Sequence, residues 1–122
     1  MKKILLIDDE EEFCYYTKLN LEDTGDLEVH VCTDSTDGIR QAKQLQPDLI
    51  LLDILMPGIS GTDIAQELKN DKDTQKIPIV FLTGLITKEE AENRQHLRGA
   101  DYIVSKPVKT DQLLNIISRL TS

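Results

Sequence analysis

Four short stretches of the chain are apolar with little or no alternation of polar side chains: residues 3–7, 49–53, 77–82 and 102–105. Unbroken apolar runs of this length predict strands covered on both faces, as in a parallel sheet flanked by helices. A fifth stretch, residues 27–32, alternates strictly between apolar and polar side chains. That alternation predicts a strand with only one covered face. We therefore expect five strands, with the second strand at an edge of the sheet.

The segments that follow these strands carry apolar residues at helical spacing. Helices are predicted from a first turn at 10–12 to Leu21, from a cap at Asp34 or Ser35 to about Leu45, from a cap at Ser60 through Leu68, over 87–97, and over 111–120. Glu10 in the first turn of the first helix is favourable because acids stabilise the positive end of a helix dipole. The helix over 87–97 has a thin apolar face, so we expect it to be the least firmly packed.

Gly61 lies in the first turn of the third predicted helix. Glycine in a helix costs about 1 kcal/mol relative to alanine. That cost suggests that another part of the backbone approaches residue 61 closely.

Strands and helices alternate along the whole chain, which predicts one α/β domain over residues 1–122 with helices on both faces of a parallel sheet. An edge position for the second strand favours the order 2-1-3-4-5. This is a doubly wound, flavodoxin-like (βα)5 architecture, in which ligands bind outside the carboxyl ends of the strands.

Polar side chains stand at those strand ends. They are Asp8 and Asp9 after the first strand, Asp53 at the end of the third, Thr83 after the fourth and Lys106 after the fifth. Carboxylates close together repel unless a cation lies between them, and their hard oxygen atoms suit Mg²⁺. A lysine and a hydroxyl in the same volume favour an anion such as a phosphoryl group. Asp53 is the central acid and the natural nucleophile toward phosphorus.

Two other functions remain open at this point. A phosphohydrolase of the haloacid-dehalogenase kind also uses an aspartate nucleophile, with a second acid two residues later, but Leu55 stands at that position here. A dinucleotide-binding enzyme would carry a glycine fingerprint after the first strand, where this chain has acids that would repel pyrophosphate.

Composition narrows the range of partners and compartments. The 122 residues carry a formal net charge of −8, which argues against a nucleic-acid surface. We expect a soluble, cytoplasmic protein that does not bind a membrane, because the first apolar run is too short for a signal peptide. Cys14 and Cys32 have no metal-binding spacing and are expected to be reduced, partly buried thiols. His30 and His96 are expected at the surface, and His30 has no nearby cysteine, histidine or acid partner at metal-ligand spacing.

The strand-end motifs together resemble the receiver domain of bacterial two-component response regulators, in particular the chemotaxis receivers. The matching motifs, in order along nearly the whole chain, are Asp8-Asp9, residues 53–61, Thr83-Gly84 and Lys106-Pro107. A chemotaxis receiver is also a standard example of the 2-1-3-4-5 order, so the strand order and the resemblance are not independent.

The resemblance implies a signalling switch rather than an enzyme. Asp53 would accept a phosphoryl group from a sensor histidine kinase, Thr83 and Lys106 would bind the phosphoryl oxygens, and Mg²⁺ would be bound by Asp8, Asp9, Asp53 and the backbone carbonyl of Leu55. The output domain or protein would bind a surface formed by the fifth strand and the last two helices, and phosphorylation-dependent dimerisation is left open.

One position departs from the usual family pattern, and two further positions bear on how long a phosphoryl group would be retained. The family usually has an aromatic residue three positions before the lysine, where this chain has Ile103, with Tyr102 one place earlier. The residues that flank the path of an attacking water in the family are here Leu55 and Leu85, both apolar. We therefore expect self-dephosphorylation to be slow.

Overall fold

The computed structural model describes residues 1–84 and 101–122. Its strands are β1 (Lys2–Ile7), β2 (Leu27–Cys32), β3 (Leu49–Asp53), β4 (Ile79–Thr83) and β5 (Tyr102–Ser105). Helices within these residues are α1 (Glu11–Glu22), α2 (Gly38–Leu45), α3 (Gly61–Lys69) and the C-terminal helix α4 (Thr110–Thr121). The helix predicted over 87–97, together with His96 and Leu85, lies outside the described residues.

The five strands form one parallel sheet in the order β2-β1-β3-β4-β5. The predicted fold class and strand order are confirmed, and the alternating second strand does lie at an edge. The direction in which successive strands are added to the sheet reverses at β1 and β3, which pair with each other. The carboxyl ends of these two central strands therefore lie side by side.

The sheet is buried on both faces, as its unbroken apolar runs predict. Along β3, Leu49 and Leu51 pack in the core cluster that includes residues of α1 and α4, whereas Ile50 and Leu52 pack in the cluster that includes residues of α2 and α3. Alternate residues of one strand thus supply two cores. The central strands are packed on both faces, so the side chains at their ends are attached to firmly held backbone.

Three local predictions need correction. The fourth strand begins at Ile79 rather than residue 77, because Pro78 has no backbone donor, and it extends to include Thr83. The second helix begins at Gly38, after a 3₁₀ turn at Ser35–Asp37 that Asp34 caps through the Thr36 N–H. His30 does have an acid partner, since its Nε2 lies 2.7 Å from Glu28 Oε2 on the same strand.

Cys14 and Cys32 are both free and buried, as predicted for thiols without a metal role. Burial raises the pKa of each thiol, that of Cys14 to about 12 with further contributions from nearby acids. Both cysteines are therefore neutral. Within the described residues, no helix is both long enough and apolar enough to cross a membrane.

Candidate functional site

The predicted site residues lie at the carboxyl edge of the sheet, and most are buried there. Asp8 directly follows β1 and its N–H donates to the Cys32 carbonyl, 3.0 Å away, so the strand pairing continues to the acid itself. Asp53 and Thr83 are the last residues of β3 and β4. Lys106 follows β5 and its N–H donates to the Thr83 carbonyl at 2.7 Å. Asp8, Asp53 and Thr83 are all at most 5% exposed.

Three carboxylates form a compact group, which we call the acid cluster: Asp8, Glu10 and Asp53. Each offers an oxygen atom within 4.8 Å of the others. The prediction placed Asp9 in this group, but among the described residues it is Glu10 that joins Asp8 and Asp53. Asp9 is half-buried next to the cluster, and its charge still acts on Asp53.

Glu10 was missed because it was interpreted only as an acid favouring the helix dipole. It is in fact the residue before α1, with an extended backbone (φ −83°, ψ 98°), and its N–H donates to Asp8 Oδ1 at 3.0 Å. That bond turns the chain so that residues 8 and 10, rather than 8 and 9, share one side. The one sequence signal for this arrangement is that Glu10 stands two positions after Asp8, so that a turn between them can bring the two acids to the same side.

Lys106 is the cation of the acid cluster. Its Nζ lies 2.7 Å from Asp8 Oδ2, 2.8 Å from Glu10 Oε1 and 3.8 Å from Asp53 Oδ2, and it sits 4.3 Å from the centre of the Phe13 ring. Burial lowers the pKa of Lys106, but the contacts with Asp8 and Glu10 outweigh burial, so the pKa is raised and the ammonium stays charged. One positive charge therefore faces three acids.

The electrostatics of Asp53 follow from this imbalance. Burial and the neighbouring charge of Asp8 raise the pKa of Asp53 from 3.8 to about 7, although Lys106 opposes the shift. Burial and like charges both disfavour an ionised carboxylate. An added cation would remove most of this penalty.

The chemistry of Asp8 also fits a cation site. Its side chain is fully buried, its Oδ2 lies 2.7 Å from the Lys106 ammonium, and its Oδ1 accepts from the Glu10 N–H. Buried carboxylates are costly unless positive charge offsets them, and here one ammonium is shared among three acids. Oxygen ligands from carboxylates, with space for water, are the donor set that Mg²⁺ prefers.

The segment after Asp53 is fixed by close backbone contact. The Gly61 N–H donates to the Ile54 carbonyl at 2.9 Å, and a Cβ on residue 61 would lie 2.1 Å from the Asp53 carbonyl oxygen. The close approach predicted from the helix position of Gly61 is confirmed. Leu55, whose carbonyl is the remaining predicted metal ligand, lies inside this segment with its side chain 56% exposed.

The two residues at the predicted switch position face opposite sides of β5. Ile103 packs with the cluster that contains Phe81, its partner in the strand register, and is half-buried. Tyr102 is 42% exposed. Thr83 pairs with Ser105 in the same register. Because adjacent residues of a strand face opposite sides, the Tyr102 ring does not take the place of the aromatic residue that the family usually has at position 103.

Comparison with known proteins agrees with this arrangement. The family model described as the response regulator receiver domain matches residues 4–118. Protein PilH of Pseudomonas aeruginosa is 32% identical over 120 residues, which cover 97% of this chain and 96% of PilH. The DNA-binding dual master transcriptional regulator RpaA of Synechocystis is 35% identical over 114 residues, which cover 93% of this chain and 46% of RpaA.

Solved structures give the same result. The signal receiver domain of a signal transduction histidine kinase from Syntrophus aciditrophicus superposes with a TM-score of 0.86 at 29% identity, covering 99% of this chain and 90% of that chain. The chain belongs to the response regulator receiver domain family, whose members are signalling switches of two-component systems. It spans about half the length of several curated relatives, RpaA included.

Proposed function

We propose that this domain, residues 1–122, is a phosphorylation-dependent switch in which Asp53 accepts one phosphoryl group from a phosphohistidine of a sensor kinase. A carboxylate oxygen of Asp53 forms the bond to phosphorus as the phosphorus–nitrogen bond breaks, and the electron pair leaves on the imidazole. The observation that carries the proposal is the burial of Asp53 in the acid cluster beside a single lysine.

The neighbouring residues have separate roles in this proposal. Asp8, Asp9, Asp53 and the Leu55 carbonyl would bind Mg²⁺, and Glu10 is a further acid close enough to take part. A bound Mg²⁺ supplies positive charge for the oxygens of the transferring group. The Lys106 ammonium and the Thr83 hydroxyl orient the phosphoryl oxygens and offset the negative charge that grows on them.

Phosphorylation would exchange the partners of Lys106. In the unmodified domain its ammonium is engaged by Asp8 and Glu10. A phosphoryl group on Asp53 adds oxygens that compete for the same cation, so the domain shifts between two conformations. The output partner would then bind the surface that includes β5 and α4, and the region predicted as helix 87–97 belongs to the same proposed surface.

The alternative function, a phosphohydrolase with Asp53 as nucleophile, requires a proton donor beside the leaving group. Leu55 occupies the position where the haloacid-dehalogenase kind has its acid, and a leucine side chain donates no proton. Adduct stability separates the two functions: a switch retains one phosphoryl group, whereas a hydrolase releases phosphate continuously.

Intact-mass spectrometry after incubation with acetyl phosphate and Mg²⁺ tests the proposal. We expect one added phosphoryl group per chain, none in Asp53→Asn, and none when the metal is chelated. Asp111→Asn is the matched control, because Asp111 lies in the first turn of α4 and should label like the parent. Equal labelling of Asp53→Asn, or many turnovers with no retained adduct, would contradict the assignment.

A further inference from the structure

Ser35 is a buried hydroxyl that contacts the segment following Asp53. Only 3% of Ser35 is exposed, although it lies on the short turn between β2 and α2. Its Oγ donates to the Pro57 carbonyl at 2.7 Å and accepts from the Ile59 N–H at 3.0 Å. One side chain therefore satisfies both a donor and an acceptor of irregular backbone, which would otherwise be costly to bury.

Gly58 lies between Pro57 and Ile59, and its lack of a side chain leaves room for the Ser35 hydroxyl. Its φ is +88°, a conformation that favours glycine, and a Cβ there would lie 2.8 Å from Ser35 Oγ. No side chain separates the serine from the loop. The contact thus depends on both residues, and either one can be changed to disturb it.

The same contact fixes one side of the loop that contains Leu55. The other side is fixed where the Gly61 N–H bonds to the Ile54 carbonyl. The Leu55 side chain is 56% exposed, so its own burial contributes little to holding the residue in place. The Leu55 backbone is therefore held by the Ser35 contact on one side, and on the other by the Gly61 contact and by the bond from the Ile54 N–H to the Leu82 carbonyl at 3.1 Å.

The structure assigns Ser35 as a positioning residue for the divalent cation site, acting through the loop at residues 57–59 on the backbone carbonyl of Leu55. The assignment rests on the proposed function, because it takes the Leu55 carbonyl as a metal ligand. Groups that orient metal ligands without touching the metal commonly change affinity by about tenfold or more when they are removed.

Titration calorimetry with MgCl₂ alone, on the unphosphorylated protein, tests the assignment. We expect Ser35→Ala to bind Mg²⁺ roughly tenfold more weakly than the parent. Thr74→Ala is the matched control: Thr74 is also a buried hydroxyl, its Oγ1 donates to the Leu68 carbonyl at 2.7 Å, and it lies in the turns between α3 and β4. We expect the Mg²⁺ affinity of Thr74→Ala to stay within about twofold of the parent, well below the loss expected when a group that orients a metal ligand is removed.

Gly58→Ala disturbs the contact from the loop side and serves if Ser35→Ala is poorly folded. It should weaken Mg²⁺ binding in the same direction. Amide hydrogen exchange without metal gives a second readout, since the Ile59 N–H loses its acceptor in Ser35→Ala and should exchange faster there but not in Thr74→Ala.

The outcomes separate this inference from the proposed function. If the parent binds no Mg²⁺, the proposed function and the inference are both wrong. If the parent binds Mg²⁺ and both Ser35→Ala and Gly58→Ala bind it equally well, only the inference is wrong. An equal loss of affinity in Thr74→Ala would also overturn it, because the effect would then be one of general stability.

Discussion

At the amino edge of the sheet aspartates accept from the N–H groups of neighbouring strands, whereas at the carboxyl edge acids are grouped around one lysine. Asp101 Oδ2 accepts from the Ile79 N–H at 2.7 Å and from Lys69 Nζ at 3.1 Å. Asp48 Oδ2 likewise accepts from the Lys3 N–H at 2.7 Å. At the opposite edge, Asp8 and Asp53 share Lys106 with Glu10.

The difference separates acids that stabilise the fold from acids that destabilise it. An aspartate that accepts from a backbone N–H at the start of a strand satisfies that donor and lowers the free energy of the fold. Acids that are buried together raise it, and the energy is recovered when a cation binds or when one of the acids loses its charge. The carboxyl edge is therefore less stable without a cation than it would be with one bound.

Matched substitutions at the two edges should have opposite effects on stability. Asp53→Asn removes a charge from the acid cluster and should raise the free energy of unfolding by roughly 2 to 4 kcal/mol at pH 8 with chelator, the upper figure being the whole pKa shift. Asp101→Asn weakens a charge-assisted contact and should lower it by about 1 kcal/mol. Urea denaturation measures both. A loss of stability in Asp53→Asn would mean that Lys106 fully compensates its charge.

The pH dependence of stability should also differ from that of a protein with ordinary carboxylates. Because the pKa of Asp53 is raised from 3.8 to about 7, the folded state binds more protons than the unfolded state between these values. Stability of the metal-free protein should therefore fall as pH rises, by about 2 kcal/mol between pH 5 and 7 from this group.

Two comparisons isolate the contribution of Asp53. The fall should be absent in Asp53→Asn, and saturating Mg²⁺ should reduce it in the parent, since a bound cation favours the ionised acid. Denaturant midpoints of the parent, of Asp53→Asn and of the parent with Mg²⁺, each measured at three pH values, test both expectations. The same slope in the parent and in Asp53→Asn would assign the effect to other groups.

The smallest predicted effect concerns hydrolysis of the phosphorylated form. Leu55 is exposed beside the site and offers an attacking water no hydrogen bond. Leu55→Asn should speed decay of the acyl phosphate at least about threefold, a barrier change near 0.7 kcal/mol. Loss of label after removal of the phosphoryl donor gives the rate. Leu55→Ala is the control, because it opens space without adding a polar group; equal acceleration in both variants would indicate access rather than orientation.

The sequence was sufficient for the parts of the site that depend on strand ends. Unbroken apolar runs located the strands, and the polar residue after each run then identified Asp8, Asp53, Thr83 and Lys106. The helix cost of Gly61 indicated a close approach by another part of the backbone, and the structure shows that this part is the Asp53 carbonyl. These inferences succeeded because each depends on local patterns and on one topological rule.

The residues that were missed depend on turns and on long-range contacts. Glu10 joins the acid cluster only because a bond from its N–H to Asp8 sets the direction of the chain. Ser35 reaches a loop more than twenty residues later in the chain, and no local pattern predicts which partner a buried hydroxyl finds. Asp9, by contrast, lies outside the acid cluster in the metal-free structure, and its proposed part in binding Mg²⁺ stays a prediction.

The loop between Asp53 and Gly61 closes on itself, and this constrains its length as well as its composition. The Gly61 N–H and the Ile54 carbonyl join its two ends at 2.9 Å, and Ser35 binds it in between. A loop bonded at its ends and at its middle cannot absorb an added or deleted residue by bulging into solvent, as an ordinary surface loop can. The number of residues between Asp53 and the next helix is therefore as much a part of the site's structure as the side chains are.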